Sequence, residues 1–351
     1  MIALKILKRC SSKDCQTSLL MSLVYQQKIA RRKYQPTLSL PVRSISVRSC
    51  LPQASCPHFD PSPAVRLRQI LATTNKTSFE PYARAMAASV EGLASSKYVF
   101  VSAVSSNHYN ELQALVENVQ KHVFPRLKNF TFVIFDIGLT PNEHQQMQQL
   151  CQCSIVHFPF ARLPDFVKQL YCYTWKPPII QALIVKSEFL IWMDASIRWS
   201  KDAPLRDLFS RAAQQGLQLG LNPLGSSIAI RTSNLTFTFY GDQPCQYDPH
   251  GEVTGGFGVY HNEPFVRVAI LEPWVTCAFD RGCMCVPRFA EMLNCRLAPP
   301  RPYGLCHRFD QSSLGIIVSK LFKERTTSLL QLPGHRAVKV ARRKFVKWLG
   351  T

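Results

Sequence analysis

A chain of 351 residues, 46% of them apolar and 18% charged, is long enough for one large domain or two modest ones and too apolar to be wholly disordered. At this size folding hides roughly three quarters of the unfolded surface, so no disulfide or metal is needed to hold a core. Apolar runs stay as short as FLIWM (189–193), far from the roughly 20 residues of a membrane-spanning helix, and the formal charge of +20 is concentrated at the two ends.

Residues 1–96 carry 14 Lys/Arg against 4 Asp/Glu. A basic, Ser-rich, acid-poor beginning has the composition of an organelle transit peptide, and the apolar patch LLMSLVY (19–25) is too short and interrupted for an anchor. The expectation for 1–96 is a basic, largely disordered leader. From residue 97 the pattern alternates between strand and helix. KYVFVSAVS (97–105) reads as a buried strand, and Leu112, Leu115, Val116, Val119 and Val123 form a helical stripe over 109–124. FTFVIFDIGL (130–139) is a second strand, followed by a helix that starts near Pro141. SIVHFPF (154–160) is a third strand, 164–187 a mostly helical stretch broken at Pro177-Pro178, and EFLIWMDASIRW (188–199) a fourth strand. Three strand–helix steps in succession imply a mostly parallel α/β sheet covered by helices on both faces.

Beyond Ser200 the rhythm changes. A helix is expected over 203–216, short strands at LQLGL (217–221) and LTFTFYG (235–241), and an extended Gly-rich segment over 251–262. A helix kinked at Pro273 follows over 264–282, and a last helix over 306–324 carries Leu314, Ile317, Val318 and Leu321 as its stripe. This gives a folded domain over 97–333. The tail 334–351 holds 6 Lys/Arg and no acid, and its apolar residues Val338, Ala341, Phe345 and Leu349 suit a short helix at a membrane surface or a frayed basic end. No zinc-finger spacing, RNP-type motif or helix-turn-helix pattern accompanies the basic ends, so nucleic acid is disfavoured as a partner.

Thirteen Cys are many, and Cys277, Cys283, Cys285, Cys295 and Cys306 cluster. Without CxxC pairs they fit disulfides in an oxidising lumen better than zinc. Sequons at Asn75, Asn129 and Asn234 add little. The secretory pathway is favoured, with an organelle transit peptide as the alternative.

The most informative segment is IWMDASIRW (191–199): a run of large apolar residues ends in Asp194, with Arg198 four positions on. In open α/β sheets ligands bind off the carboxyl ends of the strands, where an acid is desolvated on one side and needs a cation or a donor. An Asp capping the loop after a strand is the plain structural reading of the same residue.

The order of elements ending in this acid resembles the GT-A fold of nucleotide-sugar glycosyltransferases. YTWKPPII (173–180), WMDASIRW (192–199), GGFGVYHNEPF (255–265) and CHRFDQSSLGII (306–317) resemble more closely an uncharacterised, nematode-expanded family of GT-A-like proteins, a domain of unknown function. The resemblance covers about 97–324. It implies a Golgi glycosyltransferase that moves a sugar from a nucleotide-sugar donor to a glycan or glycoprotein acceptor, with Mn²⁺ or Mg²⁺ or no metal. Asp194 then corresponds to a metal- or donor-binding acid, with Ser196 where a second acid stands in related enzymes. Lys176 would face the donor diphosphate, and Gly255 and Gly256 the transferred sugar. Asp310 and Gln311 would lie beside sugar and acceptor, Asp310 as base. His307 would be a late metal ligand, and Arg308 and Arg198 would screen the leaving diphosphate. Two other readings stay open: a degenerate GT-A-like module that binds a glycan or nucleotide without turnover, and a basic nucleic-acid-binding or adaptor protein resting on the termini.

Overall fold

A computed structural model describes residues 56–221, 226–293, 295, 303, 304, 306–330 and 337–341. The first two elements are helices α1 (Pro63–Ala72) and α2 (Lys76–Ser89). They bury Leu67, Ile70 and Met86 in the main core, and a Cys56–Cys245 disulfide fastens the segment before them. The expectation of a disordered leader up to residue 96 is therefore corrected: 56–96 is folded, because its apolar residues have a core to enter. Residues 1–55 lie outside the described part.

Four strands follow in chain order, β1 (Ser96–Val104), β2 (Phe130–Asp136), β3 (Ser154–His157) and β4 (Ser187–Met193), joined by helices α3 (Tyr109–His122), α4 (Pro141–Leu150) and α5 (Lys176–Ile184). Next come β5 (Ile197–Trp199), α6 (Leu205–Gln215), β6 (Leu217–Leu221), α7 (Asn234–Phe239), β7 (Val253–His261), α8 (Glu272–Phe279), α9 (Phe309–Phe322) and β8 (Val338–Val340). The main sheet has the order β3-β2-β1-β4-β7-β6. Its first four strands are parallel, and β7 runs antiparallel between β4 and β6. This is the mostly parallel α/β sheet flanked by helices that the alternating pattern implies.

Period-two alternation divides the strand side chains between two cores. Val99, Val101, Val133, Phe135, Leu190 and Trp192 pack toward α1, α2, α5, α8 and α9. Phe100, Phe132, Ile134, Phe189, Ile191 and Met193 pack toward α3, α4 and α6. Covered on both faces, the central strands lose any polar side, which is why they read as continuous apolar runs.

Several expectations shift. The strand over 188–199 is two strands, since the chain turns at Asp194 and β5 pairs with β8 instead. Residues 337–341 of the tail expected from 334 thus belong to the fold, and the interfacial-helix reading of its remainder lies outside the described residues. LTFTF of LTFTFYG lies in helix α7, not a strand: Ser233 caps it, and within the helix only Thr236 and Phe237 are buried. The prolines at 177 and 178 do not break a helix but open one, occupying the first turn of α5, where their missing N–H groups cost nothing. A π-helical turn, Val266–Leu271, leads into α8.

Five disulfides are described, including Cys172–Cys285, Cys277–Cys283 and Cys295–Cys306 from the clustered cysteines. They are consistent with a secreted or lumenal protein. No described helix is long and apolar enough to cross a membrane.

Candidate functional site

The chain leaves β3 at one edge of the sheet and returns through α5 to β4 on the other side of β1. The carboxyl ends of β1 and β4 therefore flank a topological switch point, where ligands of such sheets bind. Asp194 is the first residue after β4. Its amide donates to the Gly256 carbonyl at 2.8 Å, which fixes the turn against β7.

Three charged side chains meet beneath this turn. The Lys176 ammonium donates to Asp310 Oδ2 at 2.7 Å and to the Gly255 carbonyl at 3.0 Å, and pairs with Asp194 Oδ1 at 3.2 Å. Lys176 and Asp310 side chains are 2% and 6% exposed, whereas Asp194 is 33% exposed. Of the three, Asp194 alone is substantially open to solvent. The Asp194 Oδ1 also accepts from Trp192 Nε1 at 2.9 Å, and the ammonium lies within 5.2–5.8 Å of the ring centres of Tyr173, Trp175 and Trp192.

Charge placement explains why these residues stay together. Lys176 opens α5, the helix end where a cation is unfavourable, so it needs carboxylate partners. Burial alone would lower its pKa, but Asp194 and Asp310 outweigh that and hold it above its ordinary value. Burial pushes the Asp310 carboxyl above its ordinary range, against the pull of the Lys176 ammonium. Asp310 sits in the first turn of α9, where an acid is favoured.

The two glycines permit the packing. A Cβ on Gly255 would overlap Asp310 Oδ2, and one on Gly256 would lie 3.1 Å from Asp194 Oδ2. The Gly255 amide donates to Gln311 Oε1 at 3.3 Å, and Gln311 Nε2 donates to Glu252 Oε1 at 2.8 Å. Gln311 therefore braces β7 at Gly255. Arg308 is half-buried at the start of α9, near enough to Tyr173 for its charge to act on that phenol.

Two expected residues belong elsewhere. Arg198 is buried and donates to the carbonyls of Ala195, Ile197 and Glu111 at 2.6–3.0 Å, so its guanidinium braces the backbone and does not screen a leaving group. His307 is sealed, its Nδ1 accepting from the Ser233 amide at 3.2 Å and its Nε2 facing the Met284 carbonyl at 3.0 Å. Burial lowers its pKa to about 4, keeping it neutral, and with both nitrogens engaged it is no metal ligand. Ser196 is partly exposed and uses its carbonyl to accept from the Ala341 amide at 2.8 Å. The metal implied at Asp194 does not fit this donor set. The ammonium stands between the two carboxylates, Ser196 replaces a second acid, and His307 is committed. Asp310 as catalytic base also meets an obstacle, since its carboxylate is enclosed and bonded to Lys176.

Sequence reasoning passed over Tyr173 and Trp192, which wall the ammonium, and the buried Glu252 and Arg231 beneath Gln311. It also passed over Asp136, His144 and His157, which converge at the ends of β2 and β3. Asp136 ends an apolar strand as Asp194 does, so the same edge rule would have found it.

Residues 80–181 match DUF1647, described as a protein of unknown function. The DUF1647 match runs from within α2 to within α5, so it includes Lys176 and stops short of Asp194. No curated protein matches the chain. Among solved structures, the chain is similar to core-mannan synthase A of Aspergillus fumigatus, Mn/GDP form, at 9% identity over 67% of this chain and 72% of that one, TM-score 0.40. It is similar to mouse xyloside xylosyltransferase 1 at 9% identity, 71% and 99% coverage and TM-score 0.36. For the galactosyltransferase LgtC with donor and acceptor sugar analogs the values are 13%, 66%, 72% and 0.34. The chain spans 38% of the bifunctional glycosyltransferase WbbM and 59% of an LgtC active-site mutant.

Proposed function

We propose that the protein binds a nucleotide-sugar donor at the Asp194 edge of the sheet and transfers its sugar to a glycan or glycoprotein acceptor in the lumen of the secretory pathway, the Golgi included. The observation that carries this reading is the Lys176–Asp194–Asp310 cluster at the switch point, open to solvent only through Asp194. A carboxylate there accepts hydrogen bonds from sugar or ribose hydroxyls. The buried ammonium pairs with it at 3.2 Å and takes the place a divalent cation would need. Arg308, half-buried beside Tyr173, is the cation placed to meet donor phosphate oxygens, as a guanidinium does in bidentate fashion.

A second reading is a module that holds a nucleotide or glycan without turnover. The enclosure of Asp310 favours it, because an inverting transfer needs a base within reach of the acceptor hydroxyl. Binding of UDP-, GDP- and CMP-sugars, with Mn²⁺ and with a chelator, tests both. One donor class should bind with or without metal, and Asp194→Ala should abolish that binding without changing the thermal midpoint by more than a few degrees. Donor hydrolysis or transfer selects the enzyme, and binding without either selects the module. Unchanged donor affinity in Asp194→Ala, or no donor bound at all, removes the reading.

A further inference from the structure

At the other half of the same sheet edge, three side chains from three rigid elements point at one another. Asp136 ends β2, and His157 ends β3 as its direct register partner. His144 lies in the second turn of α4, whose start is fixed by a capping box between Thr140 and Glu143. Asp136 Oδ2 is 2.9 Å from His144 Nδ1 and 3.2 Å from His157 Nδ1. The two imidazoles stack with ring centres 4.6 Å apart and planes within 5°. The ligand atoms of all three residues lie within 4.8 Å of one another.

We propose that Asp136, His144 and His157 form a binding site for a divalent transition metal of the zinc class. A tetrahedral ion with ligands at about 2.0–2.1 Å separates neighbouring ligand atoms by about 3.3 Å, close to the spacing around Asp136 Oδ2. Two imidazoles and one carboxylate suit zinc; magnesium and calcium favour all-oxygen shells.

The supporting contacts are those a metal site requires. Asp136 Oδ1 accepts from the amides of Gly138 and Leu139 at 2.9 and 2.8 Å, leaving Oδ2 to the histidines. His144 Nε2 lies 3.0 Å from the Gln148 side-chain amide. The contacting atom is the Gln148 amide nitrogen, which donates to Nε2, so without metal Nδ1 carries the proton and donates to Asp136 Oδ2. An ion bound at Nδ1 would displace that proton to Nε2, with the Gln148 amide turned to present its oxygen. The side chains of Asp136 and His144 are 7% and 15% exposed and that of His157 is 77% exposed. Entry is therefore from the His157 side, where solvent completes the coordination.

This site does not rest on the transferase reading. Asp136 belongs to the strand face that packs on α3 and α4, and Asp194 to the face that packs on α5 and α9. Two strand spacings, about 10 Å, separate the ends of β2 and β4.

The test uses the full oxidised chain and Zn²⁺ alone, by calorimetric titration and thermal unfolding, with Mg²⁺ as comparison. Zn²⁺ should bind one equivalent at the site and raise the unfolding midpoint, and Mg²⁺ should do neither. His157→Ala, a change at an exposed side chain, should leave the metal-free midpoint in place and abolish the Zn²⁺-dependent rise. Gln148→Ala should weaken binding about tenfold. X-ray absorption of the zinc-loaded chain should show two imidazoles. No zinc-dependent rise, an equal rise with Mg²⁺, or a rise that survives in His157→Ala would overturn the proposal.

Discussion

Replacing Lys176 by methionine removes the ammonium and keeps a side chain of similar length among the same aromatic rings. The volume change itself costs less than about 1.5 kcal/mol. Removing one partner of a buried ion pair costs about 3–5 kcal/mol. Here the ammonium serves two carboxylates, at 2.7 and 3.2 Å, and a carbonyl, so Lys176→Met should fall at the upper end of that range near neutral pH. The sign with pH follows from proton counting. Without the cation, burial and mutual repulsion leave Asp310 protonated to a higher pH than the 3.8 of a free aspartate. The folded variant then binds more protons than the unfolded chain, and its stability falls as pH rises above that ordinary value. The native protein shares this loss in part, since burial raises Asp310 there too, but the adjacent ammonium pulls against it and keeps the loss smaller. Lys176 has a raised folded pKa, so its contribution is complete below the ordinary 10.5 and is lost only in more alkaline solution. Urea unfolding of both oxidised proteins at about pH 4 and pH 7.5 measures the difference. The deficit should be several-fold larger at the higher pH, and Lys176→Met/Asp310→Asn should recover part of it. A neutral-pH deficit under about 1 kcal/mol, or one equal at both pH values, would refute the account of the cluster.

Gly255→Ala should destabilise by about 1–3 kcal/mol by displacing the Asp310 carboxylate, while Gly92→Ala, which meets nothing within 4 Å, should change stability by less than about 0.5 kcal/mol. Chemical denaturation of the two variants makes the comparison. Lys320→Met should cost about 3–5 kcal/mol in the same assay, since its ammonium is buried against Asp242 Oδ1 at 2.7 Å and the Tyr240 carbonyl at 3.1 Å. Replacing Cys56 and Cys245 by serine should cost about 2–5 kcal/mol, because that disulfide joins positions 189 residues apart. Hydrogen exchange should then quicken first in α1.

Much of the sheet was legible because its strands are buried on both faces and its helices carry 3.6-residue stripes, as Leu112, Leu115, Val116 and Val119 do. The helices α1 and α2 were hidden by the charge count around them: a few well-placed residues such as Leu67, Ile70 and Met86 outweigh a basic composition once a core is there to receive them. Asp194 was legible as an acid ending an apolar strand. That Lys176 would lie against it was not, because the residues meet across 18 positions of sequence and Asp310 arrives from 116 positions beyond Asp194. Arg198 misled for a related reason. A cation after an edge acid resembles ligand chemistry, and only the fold reveals that three backbone carbonyls consume it.

The small pairing of β5 with β8 ties Val338–Val340 to the stretch that follows the Asp194 turn. Ala341 donates its amide to Ser196, and Ser200 donates to Ala337, so residues 337–341 act as a clasp over the stretch that follows Asp194. A protein shortened ahead of Ala337 would leave Ile197–Trp199 as an unmatched edge with Trp199 partly uncovered. The turn that carries Asp194 would then lose its brace even though every residue of the cluster is present.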